Sequence, residues 1–460
     1  MKAENLAGAV NAAGRLERLP LTRYQRGIFL IIATAWLFDS MDLAAMTFVL
    51  GSIKTEFGLS TAAAGFVASS SLFGMFIGAA LAGILSDRFG RKPVFQFSMV
   101  IWGVGSLLCG LCANASQLVG ARVLLGVGMG MELPIALTLV SEFLPTRVRG
   151  KYSAILEGFL PVGFVAAGIL IYFLMPVTGW RGVFIALAAP SLLLLVIRRA
   201  VPESPRWLET VGRNADAERT VSAIEEKVRR RSGMMTLPPI AKIPEALGVG
   251  RHSTLEILAE LWRAPYAKRT LMLWVVWFFT LLGYYGLTSW LGALLQAAGY
   301  QATKSVFYTI IISTAGIPGF FFAAWLLEAW GRKKAAISML LGSALTAYIY
   351  GQCAALKMPI GAVVAAGLAM QFFFFGMWCV IYAYTPELYP TRARATGAGM
   401  ASSIGRLGSI IGPYAIGVAL PVTGQGGIFA MGAVCFLISA ITIAVLGQET
   451  RGISLEEVSR

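Results

Sequence analysis

Six ionisable side chains interrupt the long apolar stretches of this sequence. They are Asp39, Asp42, Arg122, Glu132, Glu157 and Arg406. A charged group in an apolar environment is expensive unless it is paired or hydrated, so each is a candidate for function. The single histidine, His252, lies in a polar segment. Proton transfer inside the apolar part of the protein would therefore have to use a carboxylate.

Asp39 and Asp42 are three residues apart, which places them on one face of a helix. Two carboxylates so close together in a low dielectric cannot easily both be ionised, and they should titrate as a pair. This arrangement suits a proton carrier, and we expect Asp39 to be the more direct one. In the alternative interpretation, Asp39 caps a bend in the helix and Asp42 pairs with a cation elsewhere.

Arg122 and Glu132 belong to one stretch and are about 15 Å apart along a helix, so they should not pair with each other. Glu132 is a candidate for proton coupling and Arg122 is a candidate for function, and a structural role is equally open for each. Glu157 lies near one turn into its stretch. There it could join a charge network with neighbouring arginines instead of taking part in chemistry.

Arg406 lies in the middle of an apolar stretch, between Gly405 and Gly408. Small neighbours should leave room for a ligand to approach it. A guanidinium in a cavity is suited to bidentate recognition of a carboxylate. The alternative is an ion pair between Arg406 and one of the buried acids.

Aromatic side chains in the same stretches would provide flat surfaces on which a planar ligand stacks. Most aromatic residues here could equally pack in the interior or lie at a membrane interface. The residues favoured for ligand stacking are Tyr284, Tyr285, Trp378, Trp36 and Tyr382.

The elements that must position these residues are membrane-spanning helices. Of the 460 residues, 57% are hydrophobic and 13% are charged, whereas soluble domains carry about 25% charged residues. Crossing a bilayer takes roughly 20 apolar residues, and twelve stretches are long enough. They lie near 27–50, 62–85, 93–113, 117–140, 153–175, 181–200, 270–297, 304–327, 335–355, 359–383, 396–420 and 427–447. We therefore expect an all-α membrane protein.

No cleavable signal peptide is expected, since residues 1–26 are polar and the first apolar stretch is long enough to span the membrane.

Two phrases of the sequence recur 245 residues later. Residues 142–149 (EFLPTRVR) return at 387–394 (ELYPTRAR), and residues 176–184 (PVTGWRGVF) return at 421–429 (PVTGQGGIF). A shared offset indicates two homologous halves, which in so apolar a chain is typical of a two-lobed transporter.

The predicted segments are an N-terminal segment (1–26), an N-lobe of six helices (27–200), a polar connecting loop with short helices (201–269), a C-lobe of six helices (270–447) and a tail (448–460).

The same offset relates individual residues across the two lobes. Asp39 corresponds to Tyr284, so the two should occupy symmetric positions across the cavity. Arg406 corresponds to Pro161, so its charge is not a remnant of the duplication.

The net charge of +15 does not indicate a nucleic-acid partner. Lysine and arginine cluster in alternate loops, whereas the intervening loops carry few charges. This distribution follows the positive-inside rule and predicts a multi-pass protein of the cell (inner) membrane with both termini in the cytoplasm. The basic excess would then contact anionic lipids.

Enzymatic chemistry is not expected. Cys109 and Cys112 form a C-x-x-C segment without a second pair, so a metal or redox site is not expected. The apolar stretches hold no nucleophile–base set and the chain has no phosphate-binding G-x-x-x-x-G-K-[ST] segment. We expect no cofactor and no metal, so energy would come from an ion gradient or from the substrate gradient.

Charged turns follow the second and eighth stretches and should latch helices together at the cytoplasmic face. An acid at a helix end faces cations in a tight turn, where glycine permits a positive φ. Such a latch could release when the lobes rock against each other. The residues proposed for it are Asp87, Arg88, Gly90, Arg91, Glu142, Arg147 and Arg149 in the first half, and Glu328, Arg332, Glu387, Arg392 and Arg394 in the second.

These motifs resemble the major facilitator superfamily. Residues 83–92 (GILSDRFGRK) look like its best-known signature, residues 122–130 (RVLLGVGMG) like its R-x-x-x-G-x-G-x-G motif, and residues 201–208 (VPESPRWL) like the segment after span six of sugar porters and organic-ion transporters. The resemblance covers nearly the whole chain and implies twelve helices in two lobes. It also implies a role for Arg122 in proton coupling or lobe packing. The second half departs from the signature, with Glu328 for the aspartate and no arginine at the position of Arg88, which implies a weaker latch.

Within the superfamily, span seven lacks the paired glutamines of sugar porters. Residues 39–42 (DSMD), Glu132, Glu157 and Arg406 look like the bacterial metabolite:proton symporters that import aromatic acids, a branch that neighbours the niacin transporters. The branch is similar to animal organic-ion transporters, in which an arginine in this span accompanies organic anions.

The expected function is secondary transport by alternating access, with proton-coupled uptake of a small aromatic or heterocyclic carboxylate such as nicotinate or benzoate. The partners are thus an organic anion, protons and the lipid bilayer, and we expect a monomer. Proton-driven efflux, uncoupled transport of another organic ion, and a receptor that moves no cargo are the alternatives.

Overall fold

The computed structural model describes residues 10–451 except 233, 235, 241–259, 265 and 390–392, and helices dominate the described part. The first half contains α1 (Ala12–Glu17), α2 (Arg23–Glu56), α3 (Thr61–Phe89), α4 (Arg91–Leu111), α5 (Ala115–Phe143), α6 (Thr146–Ala188) and α7 (Leu194–Ala200). Two polar helices follow, α8 (Pro205–Thr210) and α9 (Asn214–Ser232). The second half contains α10 (Tyr266–Ala297), α11 (Ala302–Thr314), α12 (Gly316–Trp330), α13 (Arg332–Ala355), α14 (Ile360–Glu387) and α15 (Arg394–Leu446).

Two of these helices bend back on themselves at glycines that are 245 residues apart. Gly179 in α6 has φ 67° and ψ −175°, and Gly424 in α15 has φ 66° and ψ −176°. A positive φ strains any residue with a side chain, which explains glycine at both bends. Before its bend, α15 packs Gly412 near Gly286 of α10, and after it Phe436 packs on Gly283. The two parts of α15, before and after the bend, therefore pack along the same neighbouring helix, α10.

The bends account for the number of membrane crossings. Nine segments of the described residues are long and apolar enough to cross a membrane. Two of them, Arg147–Leu193 and Thr396–Leu446, contain the bends and so cross twice. The remaining crossing is α13, whose 24 residues extend about 36 Å. The twelve crossings agree with the sequence, six in each half. Large apolar side chains such as Phe173 and Val445 are exposed on the outside, as lipid contact requires.

Close backbone packing joins α3 to α5 inside the N-lobe. A Cβ added to Gly74 would lie 2.1 Å from the Val123 carbonyl oxygen, and one added to Gly126 would lie 2.0 Å from that of Ser71. Gly128 instead faces α4, against Trp102. The alternating glycines of the R-x-x-x-G-x-G-x-G motif thus let α5 approach two helices at once, which fixes the rotation of the helix that carries Arg122 and Glu132.

The two lobes bring their backbones into close contact at one end of the described structure. We call the end that contains Arg91 and Arg332 the basic end. At the opposite end, Cβ atoms added to Gly292 and Gly417 would lie 2.4 Å from the carbonyl oxygens of Thr47 and Thr61, which belong to the other lobe. The space between the lobes lies in the half nearer the basic end, so the structure is closed at the opposite end.

Outside the apolar part, α1 rests on α9. Arg15 contacts Glu225 at 2.6 Å and Glu218 at 2.6 Å, and Arg18 contacts Glu225 at 2.7 Å. The polar loop predicted from the sequence therefore contains a helix that clamps the N-terminal segment. The predicted connector beyond Ser232 lies largely outside the described residues.

Candidate functional site

A cavity between the lobes brings together several of the predicted site residues. About 570 Å³ of empty space, the open mouth included, lies between the lining side chains. Helices α2, α3 and α6 form one wall, and α10, α14 and α15 form the other. The lining residues are Trp36, Leu43, Leu72, Met75, Glu157, Leu160, Trp277, Leu281, Tyr285, Trp378, Tyr382, Ser402, Arg406 and Ser409.

Arg406 projects into this cavity from α15. Its guanidinium has no hydrogen bond or ion pair with any residue that the structure describes. The flanking glycines do not leave room for a ligand, contrary to the expectation from the sequence. Gly405 packs on Trp277, and Gly408 lies against the Phe278 carbonyl. The glycines instead bring α15 against α10, and this packing fixes the helix so that Arg406 reaches the cavity.

Aromatic rings line the same cavity as the guanidinium. Trp378 and Tyr382 lie 5.5 Å apart at an interplanar angle of 30°, and Trp277 meets Tyr382 edge-on at 5.2 Å. Trp36 and Tyr285 complete the aromatic lining. Sequence reasoning missed Trp277, because nothing in its spacing distinguishes it from the packing aromatics of α10.

Tyr284 occupies a different place from the one predicted. It is 1% exposed and does not line the cavity. Its ring packs at 5.8 Å from Phe374 and 5.2 Å from Trp378, and its hydroxyl finds no partner among the described residues. Tyr284 therefore supports the wall from behind, as its counterpart in the repeat, Asp39, does in the other lobe.

Glu157 is the acid that reaches the cavity wall, whereas the sequence favoured Asp39, Asp42 and Glu132 as proton carriers. One of its carboxylate oxygens is buried without a hydrogen-bond partner in the described structure. Ser402 is the repeat counterpart of Glu157, 245 residues later, and lines the opposite wall of the cavity. Trp36 and Leu281 are also repeat counterparts that line opposite walls. The repeat offset was the signal that could have located this acid at the site.

Asp42 faces the interior of the N-lobe. Its Oδ2 accepts a hydrogen bond of 2.8 Å from the Trp102 indole, so its partner is an indole and not the cation of the alternative interpretation. Asp39 is buried behind the cavity wall, within electrostatic range of Glu132 and Arg406. Both carboxylate oxygens of Glu132 lack partners in the part of the chain that is described.

Arg122 does not pair with Glu132, as expected from their spacing. Its Nε donates to the Val67 carbonyl at 3.1 Å and its Nη2 donates to the Ser71 hydroxyl at 2.6 Å. It lines a smaller cavity that continues from the first towards the opposite end, beside Tyr285 and Thr288. Buried polar partners thus hold Arg122 close to the path between the lobes.

Charged contacts join helices at the basic end of the N-lobe, at the turn for which the sequence predicts a latch. Arg91 donates to Asp87 at 2.8 Å and to Glu142 at 3.3 Å. Gly90 adopts the expected positive φ, 103°. Glu203 accepts from the backbone of Arg91 at 3.1 Å, and the sequence had not identified it as part of the latch. Burial raises the pKa of Glu203, an effect that these backbone hydrogen bonds only partly offset.

The C-lobe repeats this arrangement. Arg332 contacts Glu387 at 3.1 Å and Glu328 at 3.4 Å, so the replacement of the aspartate leaves an arginine bridging two acids. Glu449 accepts from the backbone of Arg332 at 2.8 Å and takes the place of Glu203. Burial opposes the ionisation of Glu449, but four backbone hydrogen bonds outweigh it and lower its pKa.

Three further residues proposed for the latch, Arg88, Arg147 and Arg149, take no part in these contacts. Arg88 is exposed and lies over the ring of its neighbour Phe89. Arg147 is exposed, and Nε of Arg149 is buried without a partner among the described residues. Arg392 and the side chain of Arg394 lie outside the described residues. Each observed latch holds helices of one lobe, so the latches leave the lobes free of each other at this end.

Comparison with known proteins agrees with this architecture. The family model described as Major Facilitator Superfamily matches residues 28–413. The niacin transporter NiaP of Acinetobacter baylyi is 34% identical over 98% of this chain and 100% of its own length. The 4-hydroxybenzoate transporter PcaK of the same organism is 30% identical over 90% of this chain and 88% of its own. The inward-open structure of the xylose transporter XylE from E. coli superposes with a TM-score of 0.73 at 22% identity, covering 94% of this chain and 99% of that one. With its twelve crossings, its internal repeat and its interlobe cavity, the chain belongs to the Major Facilitator Superfamily.

Proposed function

We propose that this protein takes up a small aromatic or heterocyclic carboxylate together with protons. The observation that carries the proposal is the unpaired guanidinium of Arg406 inside an aromatic cavity between the lobes. A guanidinium binds a carboxylate through two hydrogen bonds, and tryptophan and tyrosine rings stack on a flat ring. Nicotinate and 4-hydroxybenzoate have this chemistry, and relatives of the chain are named for niacin and 4-hydroxybenzoate transport.

Buried acids near the cavity would couple transport to protons. Glu157 is in the cavity wall and Asp39 is within electrostatic range of Arg406. When the carboxylate substrate binds, a proton on one of these acids would keep the closed site from holding several uncompensated negative charges. We propose Asp39 and Glu157 as the carriers, with Asp42 and Glu132 behind them and Arg122 holding the neighbouring helices.

The distribution of basic residues supports one orientation of the protein in the membrane. Basic residues concentrate at the end where the cavity lies, so we propose that this end faces the cytoplasm of a cell whose inner membrane holds the protein, with both termini inside. The described state would then be inward-facing. Both lobes of the cavity come from one chain, so a monomer is the expected functional unit.

The test is uptake of radiolabelled nicotinate into proteoliposomes with and without an inward proton gradient. Removing one partner of a buried charge pair costs about 2–5 kcal/mol, so Arg406→Ala should weaken nicotinate binding about 30-fold or more. Arg406→Lys should recover part of it, because lysine keeps the charge but not the planar fork. Lys304→Ala removes an exposed charge at the opposite end and serves as the control.

The outcomes of the uptake assay distinguish symport, efflux, uncoupled transport and a receptor. Uptake driven by an inward proton gradient supports symport, and export driven by the same gradient supports efflux. Transport of nicotinate that ignores the gradient indicates an uncoupled carrier. Full activity of Arg406→Ala would contradict a role for this arginine in carboxylate binding. Nicotinate binding without any transport would favour the receptor.

A further inference from the structure

We propose that the C-lobe carries a second, low-affinity site for the same organic carboxylate at the opposite end, formed by Lys357, Tyr300 and Tyr350. The inference rests on the proposed function, because it assigns the same class of ligand to a separate cavity. It describes a capture step that precedes entry between the lobes.

The cavity lies where four elements end. The end of α10, the end of α13, the start of α14 and the bend of α15 enclose about 490 Å³ of empty space, the mouth included. None of its lining residues belongs to the interlobe cavity. The lining consists of Leu294, Leu295, Ala298, Tyr300, Tyr350, Ala354, Lys357, Met358, Val363 and Gln425.

Lys357 supplies the charge, and its backbone is unusual. Its φ is +51°, one of two positive values among the described residues other than glycine. The residue after a helix often adopts this conformation, but glycine or asparagine normally occupies the position. The hydrogen bond from Met358 N to the Cys353 carbonyl, at 3.0 Å, fixes the turn. Lys357 is exposed and lines the cavity at this turn, so its ammonium group is available to a bound carboxylate.

The tyrosines repeat the chemistry of the interlobe cavity. Tyr350 packs on Phe429 at 4.7 Å, and Tyr300 meets Tyr308 edge-on at 5.6 Å. Each ring is thus held in place by a neighbour, while it lines the cavity. Aliphatic side chains such as Leu294 and Val363 cover the remaining wall. A positive charge, two tyrosines and an apolar wall suit a ring with a carboxylate.

The surrounding charges favour an anion. At this end, Glu56 is paired with Arg181. Lys54, Lys304 and Lys357 have no ion pair with any described residue. An excess of one sign around a cleft raises the local concentration of the oppositely charged ligand. The opposite end would therefore gather organic anions before they reach the lobes.

The site also adjoins the closed gate. Leu294 and Leu295 follow Gly292, which packs on Thr47 of the other lobe, and precede Gln296, which packs on Gly51. An occupant would lie behind the segment of α10 that must separate from α2 when this end opens. Captured substrate would then be within one helical turn of the entrance.

The first test compares initial rates of nicotinate uptake. Lys357→Gln should raise KM about threefold to fivefold, as expected for a partly exposed charge contact, with Vmax unchanged. Lys357→Arg should behave as the wild type. Lys304→Gln, which removes a lysine at the same end outside the cavity, should raise KM less than Lys357→Gln does, because it only lowers the local concentration of the anion. An unchanged KM for Lys357→Gln, or an equal rise for Lys304→Gln, would overturn the site.

The second test does not depend on transport. Equilibrium dialysis of [³H]nicotinate against Arg406→Ala should show a weak binding component, and adding Lys357→Gln should weaken that component about threefold to fivefold. No weak binding to Arg406→Ala, or weak binding of equal affinity in the single and the double variant, contradicts the second site. If wild-type protein transports no nicotinate, the proposed function fails for this ligand, and dialysis with nicotinate and with benzoate still decides the second site.

Discussion

At the scale of single residues, the hydrogen bond between Trp102 and Asp42 sets the role of an acid that the sequence left open. Both residues are at most 1% exposed, and the bond of 2.8 Å joins α4 to α2. A buried carboxylate that lost this donor would keep its desolvation penalty without compensation. The bond therefore stabilises the N-lobe and holds Asp42 away from the cavity.

Replacing Trp102 by phenylalanine should lower the free energy of unfolding by about 1.5–3 kcal/mol, the contribution of a hydrogen bond to a charged group. Trp274→Phe is the matched control, because the Trp274 indole nitrogen is buried without a partner among the described residues. Thermal unfolding in detergent measures the loss of stability in each of the two variants. Equal losses for the two variants would show that ring volume, and not the hydrogen bond, matters at Trp102.

At the scale of elements, glycine determines how closely α3 approaches α5. Membrane helices gain stability from van der Waals contact between backbones, which small residues permit. Gly74 faces the backbone of α5, whereas Gly83 on the same helix has no atom within 4 Å of an added Cβ. The two glycines therefore separate the effect of packing from that of helix propensity.

Gly74→Ala should destabilise the N-lobe by about 1–3 kcal/mol, because the new methyl group collides with the Val123 carbonyl and must push α5 away. Gly83→Ala should be neutral or slightly stabilising, since alanine is the better helix former. Thermal unfolding of the two variants checks this. A similar loss in both would contradict the packing argument.

A second pair of elements, α1 and α9, depends on pH. Burial opposes the ionisation of Glu225, but hydrogen bonds from Arg15 and Arg18 outweigh it, and the pKa of Glu225 falls below its ordinary value of 4.5. A lowered pKa contributes stability that is complete above the ordinary value. That contribution is lost as the pH falls through the lowered pKa.

Glu225→Gln should reduce hydrogen-exchange protection of residues 12–17 at pH 7 roughly tenfold or more, the effect of losing a charge-assisted hydrogen bond. In the wild type, protection corrected for the intrinsic rate should fall only below about pH 4.5. Glu226→Gln is the control, because Glu226 pairs with Arg229 and Arg230 inside α9. Protection that is unchanged in Glu225→Gln would rule out the clamp.

At the scale of the whole molecule, closure of the opposite end requires backbones of the two lobes to touch. Gly417 of α15 meets the Thr61 carbonyl, and Gly65 of α3 meets the Pro413 carbonyl at 2.5 Å from an added Cβ. At the basic end, the arginine latches lie within single lobes. Alternating access would then depend on whether the opposite end can close.

Gly417→Val should prevent that closure and shift the protein towards the state that is open at the opposite end. Cysteine labelling should then rise at that end and fall in the interlobe cavity when reagent is added from the basic end. Gly399→Val, on the same helix with no atom within 4 Å of an added Cβ, should label as the wild type does. Unaltered labelling of Gly417→Val would contradict the contact as a gate.

The sequence by itself determined the elements and their symmetry. Apolar length predicts the crossings, and the repeat offset of 245 residues predicts two homologous lobes. The bends at Gly179 and Gly424, found in the structure, are related by the same offset. The types of side chain in the spans already indicated a cation, aromatic rings and buried acids. The predicted domain boundaries stay a prediction, although α2 begins earlier than expected, at Arg23.

Only the tertiary structure decided which of these side chains face the cavity. The spans are apolar on all sides, because lipid, the lobe interior and the cavity wall each accept apolar residues, so periodicity cannot fix the rotation of a helix. Asp42 and Tyr284 turn into the lobes, whereas Glu157 and Trp277 reach the cavity. The close contacts of glycines with neighbouring backbones set those rotations, and such contacts join residues that are far apart in the chain.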